Sequence, residues 1–111
     1  MEIGFRRASD QALFRSSAQM RRKYGPACAK KIALRLAQIK AAANLEVLCQ
    51  LPQARCHQLV ADGSEQFSLD VEHPLRMIVE VADDPIPRGH DGGVHRAQVT
   101  RLAFVEITDT H

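Results

Sequence analysis

The sequence predicts an α+β domain: an N-terminal strand and a pair of helices packed on one face of a curved antiparallel sheet. Three observations carry this. Apolar residues recur in steps of three and four from Cys28 to Ala43, the spacing of one helix face. Apolar and polar residues alternate from Gln66 to Val81, the spacing of half-buried strands. Glycine and proline stand between these runs, at Gly25-Pro26, Pro52, Gly63 and Pro74. With 111 residues, the chain is read as one domain over residues 1–111, long enough to bury a core without staples.

The elements follow in order. Ile3 and Phe5 alternate with Glu2 and Gly4, which suits an edge strand. Ser9 or Asp10 can cap a first helix running to about Lys23, because each offers an acceptor to the unpaired amides of the first turn. Arg21, Arg22 and Lys23 suit the negative end of its dipole. Tyr24-Gly25-Pro26 breaks the helix and starts a second, expected to reach about Ala43. Its stripe is Cys28/Ala29, Ile32, Leu36, Ile39 and Ala43, with Lys30, Lys31, Arg35 and Lys40 elsewhere. Asn44 can end it and cap a short turn over Leu45–Leu51. Residues 54–60 lead into a strand and residues 61–64 read as a turn.

The centre of the sheet is a hairpin. Phe67, Leu69 and Val71 alternate with Gln66, Ser68 and Asp70. His73-Pro74 interrupts, and Met77, Val79 and Val81 then alternate with Arg76, Ile78 and Glu80. The prolines and glycines of residues 82–94 predict a long loop. Ala97–Thr108 is the last strand, with Val99, Arg101, Ala103, Val105 and Ile107 on one face and Leu102 and Phe104 on the other.

Composition excludes several classes. No apolar run is long enough to span a membrane and no secretory signal opens the chain, so a cytoplasmic protein is expected. Cys28, Cys49 and Cys56 are odd in number and lack zinc-site spacing, so they read as free thiols and no metal is expected. Charge is unevenly spread. Residues 1–56 hold eleven Lys/Arg against three acids, a balance of +8, and residues 57–111 hold four against ten, a balance of −6. The basic half either faces nucleic acid or an acidic partner, or packs its helices over an acidic sheet. Arg76, on the polar face of its strand, is a candidate phosphate ligand or a solvated arginine paired with Glu80.

The ordered set of segments Leu51-Pro52-Gln53-Ala54-Arg55-Cys56-His57-Gln58-Leu59, Gln66–Val71, His73-Pro74-Leu75-Arg76-Met77-Ile78, Asp84-Pro85-Ile86-Pro87 with Asp91-Gly92-Gly93, and Glu106-Ile107-Thr108-Asp109-Thr110-His111 resembles the HigB-type, or plasmid maintenance killer, branch of the RelE/ParE toxin superfamily. The resemblance covers nearly the whole chain and implies a RelE-like fold. It implies a toxin of a type II toxin–antitoxin system, acting as a ribosome-dependent endoribonuclease that cleaves messenger RNA without metal or organic cofactor. Its partners would be a helix-turn-helix, HigA-like antitoxin, in a toxin–antitoxin hetero-oligomer, and the ribosome with its messenger. Such cleavage needs cations on the phosphate and groups to manage protons. By resemblance Arg76 stabilises the phosphate, His111 is the acid or base, and Asp109 orients His111 or shares its proton work. Lys23, Lys30, Lys31, Arg35, Arg55 and Arg101 would bind RNA or the ribosome, although a structural role is also open for Arg55 and for His57.

The chain departs from that pattern. Val60, Gly63 and Ser64 stand where the family commonly has cations, and Leu75 and Thr110 where it commonly has aromatics. Lysines neutralise phosphate and aromatics stack on bases. These departures keep two alternatives in view: a catalytically weak toxin-like protein that binds its antitoxin and regulates the operon, and a gyrase-inhibiting toxin.

Overall fold

A computed structural model describes residues 1–59 and 65–109, which form an α+β fold. Strand β1 (Glu2–Phe5) is followed by four helices, α1 (Ala8–Phe14), α2 (Ser17–Tyr24), α3 (Pro26–Ala41) and α4 (Leu45–Cys49). A 3-10 turn (Pro52–Ala54) leads to β2 (His57–Gln58), then β3 (Gln66–Asp70) and β4 (Leu75–Val81). A second 3-10 turn (Arg96–Gln98) precedes β5 (Arg101–Asp109). The sheet order is β1-β5-β4-β3-β2, antiparallel except for the parallel β1–β5 pair. The sheet is therefore mixed.

The expected first helix is two helices. Ser9 and Asp10 do not cap; Arg7 occupies that place without a side-chain bond. Ser16 instead accepts the Gln19 amide at 3.2 Å and starts α2 afresh. A serine that can bond its own neighbouring backbone competes with helix continuation, which explains the break. Gly25 ends α2 at φ 84°, a left-handed value that only glycine adopts at low cost. Pro26 then opens α3, and Asn44 caps α4 by accepting the Val47 amide at 3.0 Å.

The core lies between the helices and one sheet face. Ile32, Ile39, Leu45 and Leu48 meet Phe67, Leu69, Met77, Val79, Leu102 and Phe104, all essentially without exposure. Phe5 and Phe14 flank Phe104, with ring centroids 5.8 and 4.5 Å from it. This trio joins β1 and α1 to the central strands.

The last strand corrects the expected alternation. Ile78 pairs with Glu106 but Val79 pairs with Phe104, so Val105 is an extra residue in β5. A bulge of this kind reverses the faces beyond it. Ile107 therefore lies opposite Met77 on the core side, and Thr108 comes to lie beside Arg76. The strand also begins at Arg101 rather than Ala97, because the backbone turns at Arg96–Gln98.

Candidate functional site

The polar groups gather at the turn end of the central hairpin. Asp70 ends β3 and Arg76 lies directly opposite it on β4. The turn between them is closed by the Leu75 amide donating to the Glu72 carbonyl at 2.7 Å. Lys31 on α3 ties that turn to the helices through Glu72 at 2.9 Å. Arg55 arrives from the segment joining the first 3-10 turn to β2. Together Arg55, Asp70, Val71, His73, Leu75 and Arg76 line a cleft of about 190 Å³.

One carboxylate sits between two guanidinium groups. Asp70 Oδ2 is 3.5 Å from Arg55 Nε, and Asp70 Oδ1 is 3.4 Å from Arg76 Nε. Arg76 is 19% exposed and Arg55 is 64% exposed, so Arg76 is the more buried cation and Arg55 the solvent-facing one. Arg76 does not pair with Glu80, as one reading of the sequence has it. Glu80 is taken by Arg6, whose Nε donates to it at 2.7 Å. Arg55 has φ 45° and ψ 54°, left-handed backbone outside glycine. Such a conformation costs on the order of 1–3 kcal/mol and is held by its surroundings.

Arg35 supplies that support, and here the expectation of a surface cation is corrected. Arg35 is 4% exposed. It follows Ile32 by three residues and precedes Ile39 by four, so it lies on the buried stripe of α3. Its Nε donates to the Asp70 carbonyl at 2.6 Å and its Nη2 to the Gln53 carbonyl at 2.8 Å, while Nη1 reaches Gln38 Oε1 at 3.0 Å. One guanidinium thus joins the strand that carries Asp70 to the turn that precedes Arg55. Burial draws its pKa down, and the Asp70 charge draws it up by less.

The other expected residues scatter. Asp109 pairs with Leu75, one step from Arg76, but ladder alternation starts its side chain on the opposite face. Arg101 is at the far end of β5, roughly 20 Å from the Arg76 row at about 3.3 Å per residue, and pairs with Glu2 at 3.2 Å. Lys23 stands over the Tyr24 ring at 5.4 Å, and Lys30 is exposed on α3. His57 is exposed on β2, opposite Ser68. His111, Thr110, Val60, Gly63 and Ser64 lie outside the described residues. His73 and Asp70 are cleft residues that sequence reasoning treated only as punctuation and alternation. The signal for both was their flanking of the turn before Arg76.

Comparison with protein-family models, curated proteins and solved structures finds no match to this chain. An apolar hollow of similar volume between α2 and α3, floored by Met20, Ala29 and Ile32, offers only Arg21 and Lys30 as charged groups. The hairpin cleft, by contrast, combines two arginines, a carboxylate and an imidazole. Among the described residues no helix is long and apolar enough to cross a membrane, and no group of three His, Cys, Asp or Glu side chains is placed to hold a metal.

Proposed function

We propose that this chain is the toxin of a type II toxin–antitoxin pair, a RelE-like endoribonuclease that cleaves messenger RNA on the ribosome and is neutralised by a helix-turn-helix antitoxin in the cytoplasm. The observation that carries the reading is the convergence of Arg55 and Arg76 on one small anion in the cleft. A phosphate is also a small anion with several acceptor oxygens, and arginine forks suit it. Seated in place of the Asp70 carboxylate, the scissile phosphate would have two cations on the charge that builds as the ribose oxygen attacks. His73 lines the same cleft, and its imidazole would move a proton there. The proton roles that the resemblance implies for Asp109 and His111 belong to this reading, and Lys23, Lys30 and Lys31 present charge to ribosomal RNA.

The test is controlled expression in a bacterial host with mapping of messenger 5′ ends. New in-frame ends that disappear when translation is blocked, and disappear with Arg76→Ala, are expected. Growth arrest without new ends would overturn the nuclease reading and point to a target such as gyrase.

One observation favours the second reading, an antitoxin-binding regulator with weak activity. Both cleft arginines already face Asp70. The β4–β5 face that carries Arg76 also carries Glu80 and Glu106. Arg76→Ala would then leave both growth and antitoxin binding unchanged.

A further inference from the structure

Cys49 is the last residue of α4, and Cys56 lies just before β2. Between them run the 3-10 turn and Arg55. Their sulfurs are 2.9 Å apart, and both residues are half-buried. A disulfide bond is about 2.05 Å long, so bond formation needs the sulfurs to approach by less than the length of a single bond. The third thiol, Cys28, is free and buried on α3.

The surroundings divide the labour between the two. The hydrogen bond shared with Cys56 draws the Cys49 thiol down, and the Arg96 guanidinium adds to this against an opposing effect of burial. The same hydrogen bond and burial push the Cys56 thiol up. Cys49 is therefore the sulfur that attacks once it is a thiolate, and Cys56 is the sulfur that resolves it.

We propose that Cys49 and Cys56 are a reversible redox dithiol, oxidised by hydrogen peroxide to an intramolecular disulfide that clamps the segment carrying Arg55. In the first step the Cys49 thiolate attacks a peroxide oxygen. The O–O bond breaks, Cys49 becomes a sulfenic acid, and water leaves after protonation. In the second step the Cys56 sulfur attacks the Cys49 sulfur, the S–O bond breaks, and a second water leaves. Two thiols and one peroxide give one disulfide and two waters, with the peroxide reduced by two electrons. The clamp closes a ring containing Gln53, whose carbonyl accepts from Arg35, and Arg55, which faces Asp70. The redox state of the pair is thereby coupled to the mouth of the cleft. The proposal stands on the dithiol alone and does not depend on the nuclease reading.

Intact protein is treated with hydrogen peroxide, alkylated, denatured and digested with trypsin. Cleavage after Arg55 separates the two cysteines, so a disulfide appears as peptides 41–55 and 56–76 joined together. The expected result is that joined pair, Cys28 still fully alkylated, reversal by dithiothreitol, and amide exchange over residues 50–55 slowed at least threefold. Alkylation of all three cysteines after peroxide would overturn the proposal, as would a dimer on a non-reducing gel in place of the internal link. Exchange over 50–55 that is unchanged in the oxidised protein would overturn the coupling to Arg55. Cys56→Ser, checked for folding by circular dichroism, should stop at an unlinked Cys49 sulfenic acid trapped by dimedone.

Discussion

Replacing Arg35 by methionine tests whether the cleft is held from inside. Methionine keeps an unbranched stem of similar reach and removes the fork. Two charge-assisted bonds to main-chain oxygens are lost, at 2.6 and 2.8 Å. Bonds of this kind contribute about 1.5–3 kcal/mol each. The gross loss is then about 3–6 kcal/mol. Part is returned, because a guanidinium no longer has to be desolvated, and burial does lower the Arg35 pKa. A net cost of about 3 kcal/mol follows, a large share of the roughly 5–15 kcal/mol that holds a domain of this kind together. Urea unfolding reads it directly. With a slope of about 1.5 kcal/mol per molar, the midpoint should fall by roughly 2 M with the slope unchanged. Arg35→Lys should recover little, since an ammonium cannot reach two diverging carbonyls as a planar fork does. A methionine variant within about 0.5 kcal/mol of the parent, or a lysine variant restoring most of the loss, would refute the bracing role.

Other outcomes are expected on the same physical grounds. Asp70→Asn removes the anion between Arg55 and Arg76, and binding of a short single-stranded RNA at low salt should tighten several-fold; weaker binding would mean that Asp70 is needed to position the arginines. Ser16→Ala should lower stability by about 1 kcal/mol through the lost cap of α2, read as a lower melting temperature, and no change would mean that Ser16 does not set the helix break. Burial pushes the Cys28 thiol up, and burial followed by the Asp10 charge pushes the Tyr24 phenol up. Both hold their protons more tightly when folded, so their contribution is complete below the unfolded values, about 8.5 and 10, and is lost as pH rises past them. The urea midpoint should fall between pH 8 and pH 11, and fall less in Tyr24→Phe with Cys28→Ala.

Much of this fold is legible in the sequence where one period dominates. The hairpin of β3 and β4 follows from alternation broken only at Ile78, and α3 follows from its three-and-four spacing. The failures have local causes. A single helix from Ser9 to Lys23 is one reading of the sequence, yet Ser16 offers a competing bond to the backbone, and propensity does not say which serine caps. The bulge at Val105 leaves no mark, because an alternating strand with one added residue still alternates on either side. Arg35 reads as a surface cation by residue type, and only the tertiary contacts reveal that two carbonyls await it. For the site, Arg76 is legible from its strand position. The cluster is not, because Arg55, Asp70 and His73 meet only once the turn after Ala54 swings back against the hairpin.

The clamp on Asp70 bears on how the cleft could work. Ion pairs at partly exposed positions contribute about 0–1 kcal/mol each, and neither contact of Asp70 with the arginines is shorter than 3.4 Å. Under the proposed function, an RNA strand would displace a carboxylate held this loosely, because it brings many phosphates and releases counterions from each one that the protein neutralises. The arrangement thus allows the arginines to be occupied at rest and available to a polyanion. It also makes the salt dependence of binding diagnostic. If RNA displaces Asp70 from both arginines, the slope of log affinity against log salt should be almost unchanged in Asp70→Asn, because the same two cations meet phosphate in either protein, and the arginines should carry it. If instead Asp70 stays paired and RNA binds along the helices, the slope should be identical in the two proteins and should fall when Lys23, Lys30 and Lys31 are removed. Arg76→Ala should reduce the slope by about 0.7, the value for one phosphate contact on a single strand, only in the first case.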